Sequence, residues 1–72
     1  MGDIEREILE MLQEELGVEL QLGDDLTRLG IDSLRMTQLA ARLERRFDFR
    51  NDQDVFEVET VNDLVQYVRD RT

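Results

Sequence analysis

The sequence predicts an all-α fold, a small four-helix bundle of three main helices and one short helix with a long first loop. Apolar residues recur at helical spacing in successive segments, and no segment alternates apolar and polar residues with a period of two. The 72 residues contain no proline, and polar segments with glycine separate the amphipathic pieces. This length fits a single domain, which we expect to span residues 1–72 with a core from about residue 4 to residue 70.

The first predicted helix extends from Ile4 to Leu16. Its apolar residues form one broad stripe on a helical wheel, and glutamates cover most of the remaining surface. Gly17 follows directly and suits the left-handed conformation that ends many helices. The stripe consists of Ile4, Ile8, Leu9, Met11, Leu12 and Leu16.

The connection from Val18 to Asp32 is long for a compact domain. Loops of this length are usually functional or packed by their own side chains. Regularly spaced apolar residues favour packing here, so we expect the loop to lie across the helices. These residues are Leu20, Leu22, Leu26, Leu29 and Ile31.

The second predicted helix extends from Ser33 to about Phe47, with Asp32 as its N-cap. Five apolar residues fall within about 100° of one another on the wheel and predict its buried face. They are Met36, Leu39, Ala40, Leu43 and Phe47. The opposite side of the helix carries Leu34, Gln38, Ala41 and Arg45.

Two further helices are predicted in the last third of the chain. Asn51 or Asp52 can cap one or two short turns, whose apolar residues are Val55, Phe56 and Val58. Thr60 with Asp63 three residues later forms a capping-box pattern, which predicts the start of the last helix. The apolar stripe of this helix is Val61, Leu64, Val65 and Val68, with Tyr67 at its edge.

The charge balance and the missing residue types argue against several functions. With 18 acidic and 9 basic residues the chain has a net charge of −9, which argues against nucleic acids and anionic membranes as partners. It contains no Cys, His or Lys, so a thiolate nucleophile, an imidazole base and a Schiff-base amine are all missing. We therefore expect a protein that is not itself an enzyme.

Neither a membrane nor a metal is expected as a partner. No apolar run is long enough to span a bilayer, and the N-terminal residues lack a signal-peptide pattern, so we expect a cytoplasmic protein. Four carboxylates do not match the spacing of a calcium loop, and we interpret them as helix caps and solvated charge. They are Asp24, Asp25, Asp52 and Asp54.

The segment from Leu29 to Leu34 places a serine in the first turn of a helix, directly after a loop that contains Gly30. A helix N-terminus has free N–H groups and a partial positive charge, so an anion attached there is tolerated. The Ser33 hydroxyl has no adjacent base and cannot activate itself. It is suited to be the substrate of another enzyme.

This segment resembles the prosthetic-group site of the acyl carrier protein and peptidyl carrier protein family. The context agrees, because Asp25-Leu26, Leu29-Gly30 and the Thr60-Val61…Leu64 pattern occur as in the family, and the resemblance extends from Ile4 to Val68. It implies that Ser33 receives 4′-phosphopantetheine from coenzyme A, through a separate magnesium-dependent phosphopantetheinyl transferase. It also implies that Asp32 and Leu34 complete the modification motif, and that the thiol of the arm carries acyl or aminoacyl groups as thioesters.

The charge of the second helix departs from many fatty-acid carriers, in which this helix is strongly acidic. Here it has four arginines and one glutamate, a local charge of +3. This resembles carriers of polyketide or nonribosomal peptide pathways. The Gly30-to-Ser33 segment favours acyl cargo and the arginines favour aminoacyl cargo, so both stay open. The predicted partner surface is Leu34, Arg35, Gln38, Ala41, Arg42 and Arg45.

The resemblance implies a monomeric carrier in polyketide or related secondary-metabolite biosynthesis. Its partners would be the phosphopantetheinyl transferase and an acyltransferase, a ketosynthase or adenylation-type loading enzymes. Two alternatives remain at this point. One is a peptidyl carrier of a nonribosomal peptide pathway, and the other is an unmodified helical adaptor with the same fold.

Overall fold

A computed structural model describes residues 3–72. The chain forms three α-helices, α1 (Ile4–Leu16), α2 (Ser33–Phe47) and α3 (Val61–Arg71), and a 3-10 helix (Gln53–Glu57) between α2 and α3. Within the described residues there is no strand, and one isolated antiparallel bridge joins Asp25 to Thr60. The predicted all-α fold, with three main helices and one short helix, is confirmed.

Local capping explains why the helices begin and end where the sequence predicts. Gly17 has a φ of 68° and ends α1 in the left-handed conformation. Asp32 caps α2, and α3 begins with a complete capping box between Thr60 and Asp63. The N-caps Asp32 and Thr60 accept from backbone N–H groups that the first turn leaves without a partner, and Gly17 N donates to the Gln13 carbonyl of the last turn.

The core lies where the predicted stripes of the three helices meet. Ile8 and Leu12 of α1, Leu43 of α2 and Leu64 of α3 are all 0% exposed. Complete burial of such a side chain is worth about 1.5–3 kcal/mol relative to exposure. All residues of the predicted stripes lie in the core or pack against it, but Ile4, Leu9, Leu16 and Phe47 are only partly buried.

Tyr67 and Phe56 differ in exposure from what their positions in the predicted helices suggest. Tyr67, predicted at the edge of the last stripe, is 5% exposed and belongs to the core. Phe56 is 55% exposed although its neighbour Val55 is 2% exposed. The 3-10 helix has about three residues per turn, so it buries one side chain per turn and directs the next outward. Val58 follows the 3-10 helix as its C-cap.

The long first loop packs across the helices as predicted. Leu20, Leu26 and Ile31 are buried in the common core. Backbone hydrogen bonds also hold the loop to the start of α3. They run from Leu26 N to Glu59 O at 2.8 Å, from Val61 N to Asp24 O at 3.0 Å and from Asn62 N to Leu22 O at 2.8 Å. The loop therefore delivers the chain to the N-terminus of α2 in a fixed position.

The acidic residues of the first loop stabilise turns within the loop and cap no helix, whereas Asp52 is the N-cap of the 3-10 helix. Asp24 accepts a hydrogen bond from Gln21 N at 2.7 Å, and Asp25 accepts one from Thr27 N at 2.8 Å. In residues 3–72 no group of three or more acidic, His or Cys side chains could hold a metal ion. None of the helices in this range is long and apolar enough to cross a membrane.

Candidate functional site

The N-terminus of α2 is organised by Asp32. Its Oδ1 accepts a hydrogen bond from Arg35 N at 2.8 Å, and its backbone oxygen accepts one from Met36 N at 2.8 Å. The preceding Gly30 has a φ of 86°, a conformation that L side chains rarely adopt, and it allows the loop to turn into the helix. Ser33 is therefore held as the first residue of α2.

The Ser33 side chain is exposed and its hydroxyl makes no hydrogen bond to any residue in the range 3–72. Only its backbone oxygen is engaged, by the Thr37 hydroxyl at 2.9 Å. The neighbouring carboxylate of Asp32 is committed to the cap. Nothing in the described part of the chain therefore competes for the Ser33 oxygen or could deprotonate it efficiently.

An open groove with a volume of about 290 Å³ lies beside Ser33. Ser33 and Met36 of α2 form one wall, the first loop forms the floor, and the segment around the 3-10 helix forms the other wall. The loop contributes Leu26, Thr27 and Ile31, and the far wall consists of Phe56 and Val58. Asp32 also lines the groove, so two hydroxyl residues and one acidic residue stand beside five apolar ones. This mixture suits a chain that is anchored at Ser33 and has both polar and apolar parts.

Large exposed apolar residues occur on both sides of Ser33. Leu34 is 69% exposed, as its position opposite the core stripe predicts. Phe56 is 55% exposed and lines the groove, but the sequence analysis did not assign it to a site. The signal was available, because an aromatic residue next to a buried Val in a 3-10 turn must point away from the core.

The predicted partner surface is exposed along α2. Arg35, Gln38, Ala41 and Arg45 are all exposed together with Leu34. Within residues 3–72 Arg45 forms no ion pair, so its charge is available on this face. This matches the wheel, which places Arg45 on the side opposite the core.

Two of the other α2 arginines face α1 instead. Arg42 forms an ion pair with Glu15, and Arg46 Nη2 lies 3.1 Å from Glu7 Oε1. The positive charge of α2 is therefore partly compensated by the glutamates of α1. Sequence reasoning missed these pairs because they connect residues 27 and 39 positions apart.

A polar network lies on the other side of the 3-10 helix. The Tyr67 hydroxyl donates a hydrogen bond to Asn51 Oδ1 at 2.9 Å and accepts one from Asp52 N at 3.0 Å. Asn51 Nδ2 donates to Ala40 O at 2.8 Å, and Asn51 N donates to a Glu44 carboxylate oxygen at 2.7 Å. This network connects α3, the segment before the 3-10 helix and α2.

Arg71 covers this network on the solvent side. Its guanidinium carbon lies 3.8 Å from the centroid of the Tyr67 ring, and its Nε lies 2.9 Å from Asp52 Oδ2. It also contacts Asp54 at 3.2 Å. The hydrogen bond from Arg71 holds the pKa of Asp52 below its usual 3.8, whereas burial raises the pKa of the Tyr67 phenol above its usual 10.0.

Comparison with known proteins identifies the family. The phosphopantetheine attachment site family matches residues 6–68, most of the chain. The chain is also 30% identical over 73 residues to the acyl carrier protein of Chlamydia caviae, covering 94% of this chain and 95% of that protein. The chain therefore belongs to the family of acyl and peptidyl carrier proteins, whose prosthetic group is 4′-phosphopantetheine.

Two fungal synthetases are similar at higher identity. A nonribosomal peptide synthetase of Curvularia clavata is 41% identical over 69 residues, and cyclosporin synthetase of Tolypocladium inflatum is 40% identical over 69 residues. Each match covers 94% of this chain but only a small part of the synthetase, a share that rounds to 0% of its length. A carrier of this family interacts with enzymes that modify and load it.

A solved structure supports the fold. The acyl carrier protein of Thermotoga maritima matches with a TM-score of 0.76 at 21% identity, covering 92% of this chain and 82% of that one. This comparison confirms the small helical carrier fold. The site geometry fits the prosthetic group of the family, because the exposed Ser33 hydroxyl stands at a helix N-terminus, where a phosphate is tolerated.

Proposed function

We propose that the chain is a carrier domain that bears 4′-phosphopantetheine on Ser33 and is not itself an enzyme. The observation that supports this most directly is the state of the Ser33 hydroxyl, which is exposed, without a hydrogen-bond partner in residues 3–72, and in the first turn of α2. The N-terminus of α2 favours the negative charge that the phosphodiester would bring. Asp32 and Leu34 complete the motif, Asp32 as cap and Leu34 as exposed flank.

The modification is a phosphoryl transfer between Ser33 and coenzyme A. The Ser33 oxygen forms a bond to the phosphorus next to pantetheine, and the bond from that phosphorus to the adenosine bisphosphate leaving group breaks. The hydroxyl proton goes to a base on the transferase, since the chain has no His and its nearest carboxylate caps α2. The residues of this chain present and orient the oxygen, and the magnesium-dependent transferase supplies the activation.

The cargo proposal follows from the arm. Its terminal thiol, which the chain itself cannot supply because it has no Cys, would hold an acyl or aminoacyl group as a thioester. The sequence leaves acyl and aminoacyl cargo open and predicts a carrier of polyketide or related secondary-metabolite biosynthesis, with a peptidyl carrier as the alternative. The 41% and 40% identities to two peptide synthetases, against 30% to an acyl carrier protein, favour the alternative of aminoacyl or peptidyl cargo.

The outer face of α2 is the proposed surface for partner enzymes. Leu34 offers an apolar contact next to Ser33, and Arg45 offers a positive charge about 18 Å further along the helix axis, from a rise of 1.5 Å per residue. A partner that receives the arm can therefore cover both. Arg35, Gln38 and Ala41 lie on or beside this face, and Arg42 lies at its edge, paired with Glu15.

The test of attachment is intact mass after incubation with coenzyme A, magnesium and a broad-specificity phosphopantetheinyl transferase. Ser33 is the only serine of the chain, so one added phosphopantetheine on serine has one possible location. Ser33→Ala should fold normally and accept nothing. Thr37→Ala, one turn further along α2 and also exposed, is the matched control and should accept one arm.

Two results contradict the proposal. A wild-type chain that folds but resists several transferases supports the unmodified adaptor instead. Modification of Ser33→Ala at the wild-type rate would move the attachment point to a threonine or to Tyr67.

A further inference from the structure

The groove beside Ser33 has two walls of unequal rigidity. The wall on α2 is part of a 15-residue helix with four buried residues. The opposite wall, Phe56 and Val58, is carried by a five-residue 3-10 helix and its C-cap. Short 3-10 helices have poor hydrogen-bond geometry and little stability of their own. Val55 is the only residue of this helix that is buried, so other contacts must fix the position of this wall.

Two side chains of α3 supply such contacts. Arg71 pairs with Asp52 and Asp54 at the surface, and the Tyr67 hydroxyl binds the same segment from the buried side. The hydroxyl accepts from Asp52 N, the N-cap of the 3-10 helix, and donates to Asn51 Oδ1. Asn51 in turn donates to Ala40 O of α2. One buried hydroxyl therefore joins the start of the 3-10 helix to α3 directly and to α2 through Asn51.

We propose that Tyr67 is a positioning residue for the arm attached at Ser33. Through Asn51 and Asp52 its hydroxyl holds the 3-10 helix so that Phe56 and Val58 form a wall, and the first part of the arm lies against that wall. This inference rests on the proposed function, since it needs the arm on Ser33. The occupant is the arm itself, because the groove includes Ser33 and five of its eight lining residues are apolar. Apolar side chains suit the dimethyl-bearing part of pantetheine nearest the phosphate.

The aromatic ring and the hydroxyl of Tyr67 have separable roles. The ring makes an edge contact with Phe49, with centroids 6.1 Å apart, and lies under Arg71. Tyr67→Phe keeps both of these contacts and removes only the two hydrogen bonds. Tyr67→Phe therefore tests the role of the hydroxyl separately from that of the ring. Asn51→Ala removes the side-chain bonds of Asn51 to Tyr67 and to Ala40 and keeps its backbone bond to Glu44, and it serves if Tyr67→Phe does not fold.

The experiment compares the NMR spectra of the apo and phosphopantetheinylated chains. In the wild type, attachment should shift the amide signals of Asp32 and Leu34, next to the new phosphate, and also the signals of Phe56 and Val58. In Tyr67→Phe the shifts at Asp32 and Leu34 should remain, and those at Phe56 and Val58 should be largely lost. Phe56→Ala should reduce the shift at Val58 without affecting the first pair.

A stability control separates positioning from general loosening. Ile8→Val loosens the core on α1, where Ile8 is 0% exposed, without touching the network. It should keep the wild-type shifts at Phe56 and Val58. If Ile8→Val loses them as completely as Tyr67→Phe, the hydroxyl has no special role and the inference is overturned.

Other outcomes are equally decisive. A wild-type chain that takes the arm but shows no shift at Phe56 or Val58 overturns the inference and leaves attachment at Ser33 intact. Full wild-type shifts in folded Tyr67→Phe and Asn51→Ala also overturn it. A wild-type chain that takes no arm at all contradicts the proposed function itself, so the two failures are distinguishable.

Discussion

The two hydroxyls of Ser33 and Tyr67 are used in opposite ways. Ser33 is exposed and its hydroxyl has no hydrogen bond within residues 3–72, whereas Tyr67 is 5% exposed and its hydroxyl makes two. A buried hydroxyl must be paired because an unpaired one loses its interaction with water. An exposed one can stay unpaired at no such cost. The Ser33 hydroxyl is therefore available for modification, and the Tyr67 hydroxyl stabilises the fold.

The surroundings of the two residues differ in the same way. Around Ser33 the apolar neighbours Leu34 and Phe56 are exposed and are bound to nothing in the core. Around Tyr67, the Phe49 ring, the backbone of Asp52 and the guanidinium of Arg71 all contact its side chain. The attachment region should therefore tolerate substitution with little change in stability, and the Tyr67 region should not.

The largest predicted effect comes from two leucines of the same helix. Leu39 is 1% exposed and Leu34 is 69% exposed. Leu39→Ala should lower the free energy of unfolding by about 2–5 kcal/mol, because it leaves a cavity in the core. Leu34→Ala should change it by no more than about 0.5 kcal/mol. Denaturant unfolding of both variants, with the slope m compared to confirm two-state behaviour, measures the difference.

A large loss for Leu34→Ala would break the comparison. It would show that Leu34 packs in the core, and it would remove Leu34 from the proposed docking face. A small loss for Leu39→Ala would show instead that the α2 stripe is loosely packed.

The titration of Tyr67 is expected to have a smaller effect. Burial raises its pKa above 10.0, so the neutral phenol stabilises the fold. This contribution is complete below the unfolded pKa near 10.0 and is lost as the pH rises through the higher folded pKa. Each of its two hydrogen bonds is worth about 0.5–1.5 kcal/mol net. Because Tyr67 is the only tyrosine and there is no Trp, the absorbance of the ionised phenol reports this residue alone.

The matched control is the same titration in denaturant, where the midpoint should return to about 10.0. For Asp52 the change of stability with pH has the opposite sign, and it occurs at low pH. The hydrogen bond from Arg71 lowers its pKa below 3.8, so its contribution is present above that pH and is lost as the pH falls through the lower folded pKa. A folded-state Tyr67 midpoint at or below the denatured one would contradict the buried network.

The sequence predicted what depends on local rules. Asp32 as N-cap, Gly17 as helix stop and the Thr60–Asp63 capping box are interactions between residues at most four apart. The limits of α1 and α2 and the start of α3 therefore came out as predicted. The exposure of Leu34 followed from the helical wheel, and that of Ser33 from its expected role as the substrate of another enzyme. These features are the ones that define the attachment site.

The features that the sequence did not predict depend on contacts between segments that are distant along the chain. The burial of Tyr67 requires Asn51, 16 residues earlier, and nothing near either residue indicates this pairing. The partners of Arg42 and Arg46 lie on α1, and only the packing of α1 beside α2 brings them together. At 100° per residue Arg46 lies nearer the core side of α2 than Arg45, but the helical spacing alone does not identify Glu7 as its partner.

The smallest predicted effect separates Arg42 from Arg45. Arg42 is paired with Glu15 at the surface, and within residues 3–72 Arg45 has no ion pair. Arg42→Ala should lower the free energy of unfolding by about 0.2–1 kcal/mol, the range for exposed pairs. Arg45→Ala should change it by less than about 0.5 kcal/mol. A double-mutant cycle with Glu15→Ala isolates the Arg42 pair, and its coupling should decrease as salt is added.

For function, Arg45 should matter more than an exposed arginine outside the outer face of α2. If partners dock on the outer face of α2, Arg45→Glu replaces an attraction for a partner carboxylate with repulsion, and transfer to or from the arm should weaken mainly through KM. Salt should reduce the defect because it screens exposed charges. Arg69→Glu, an exposed arginine on α3, is the control for net charge and should have less effect. Steady-state transfer kinetics at two salt concentrations measure this. Equal defects for both variants would mean that overall charge, and not the face that carries Leu34 and Arg45, guides the partner.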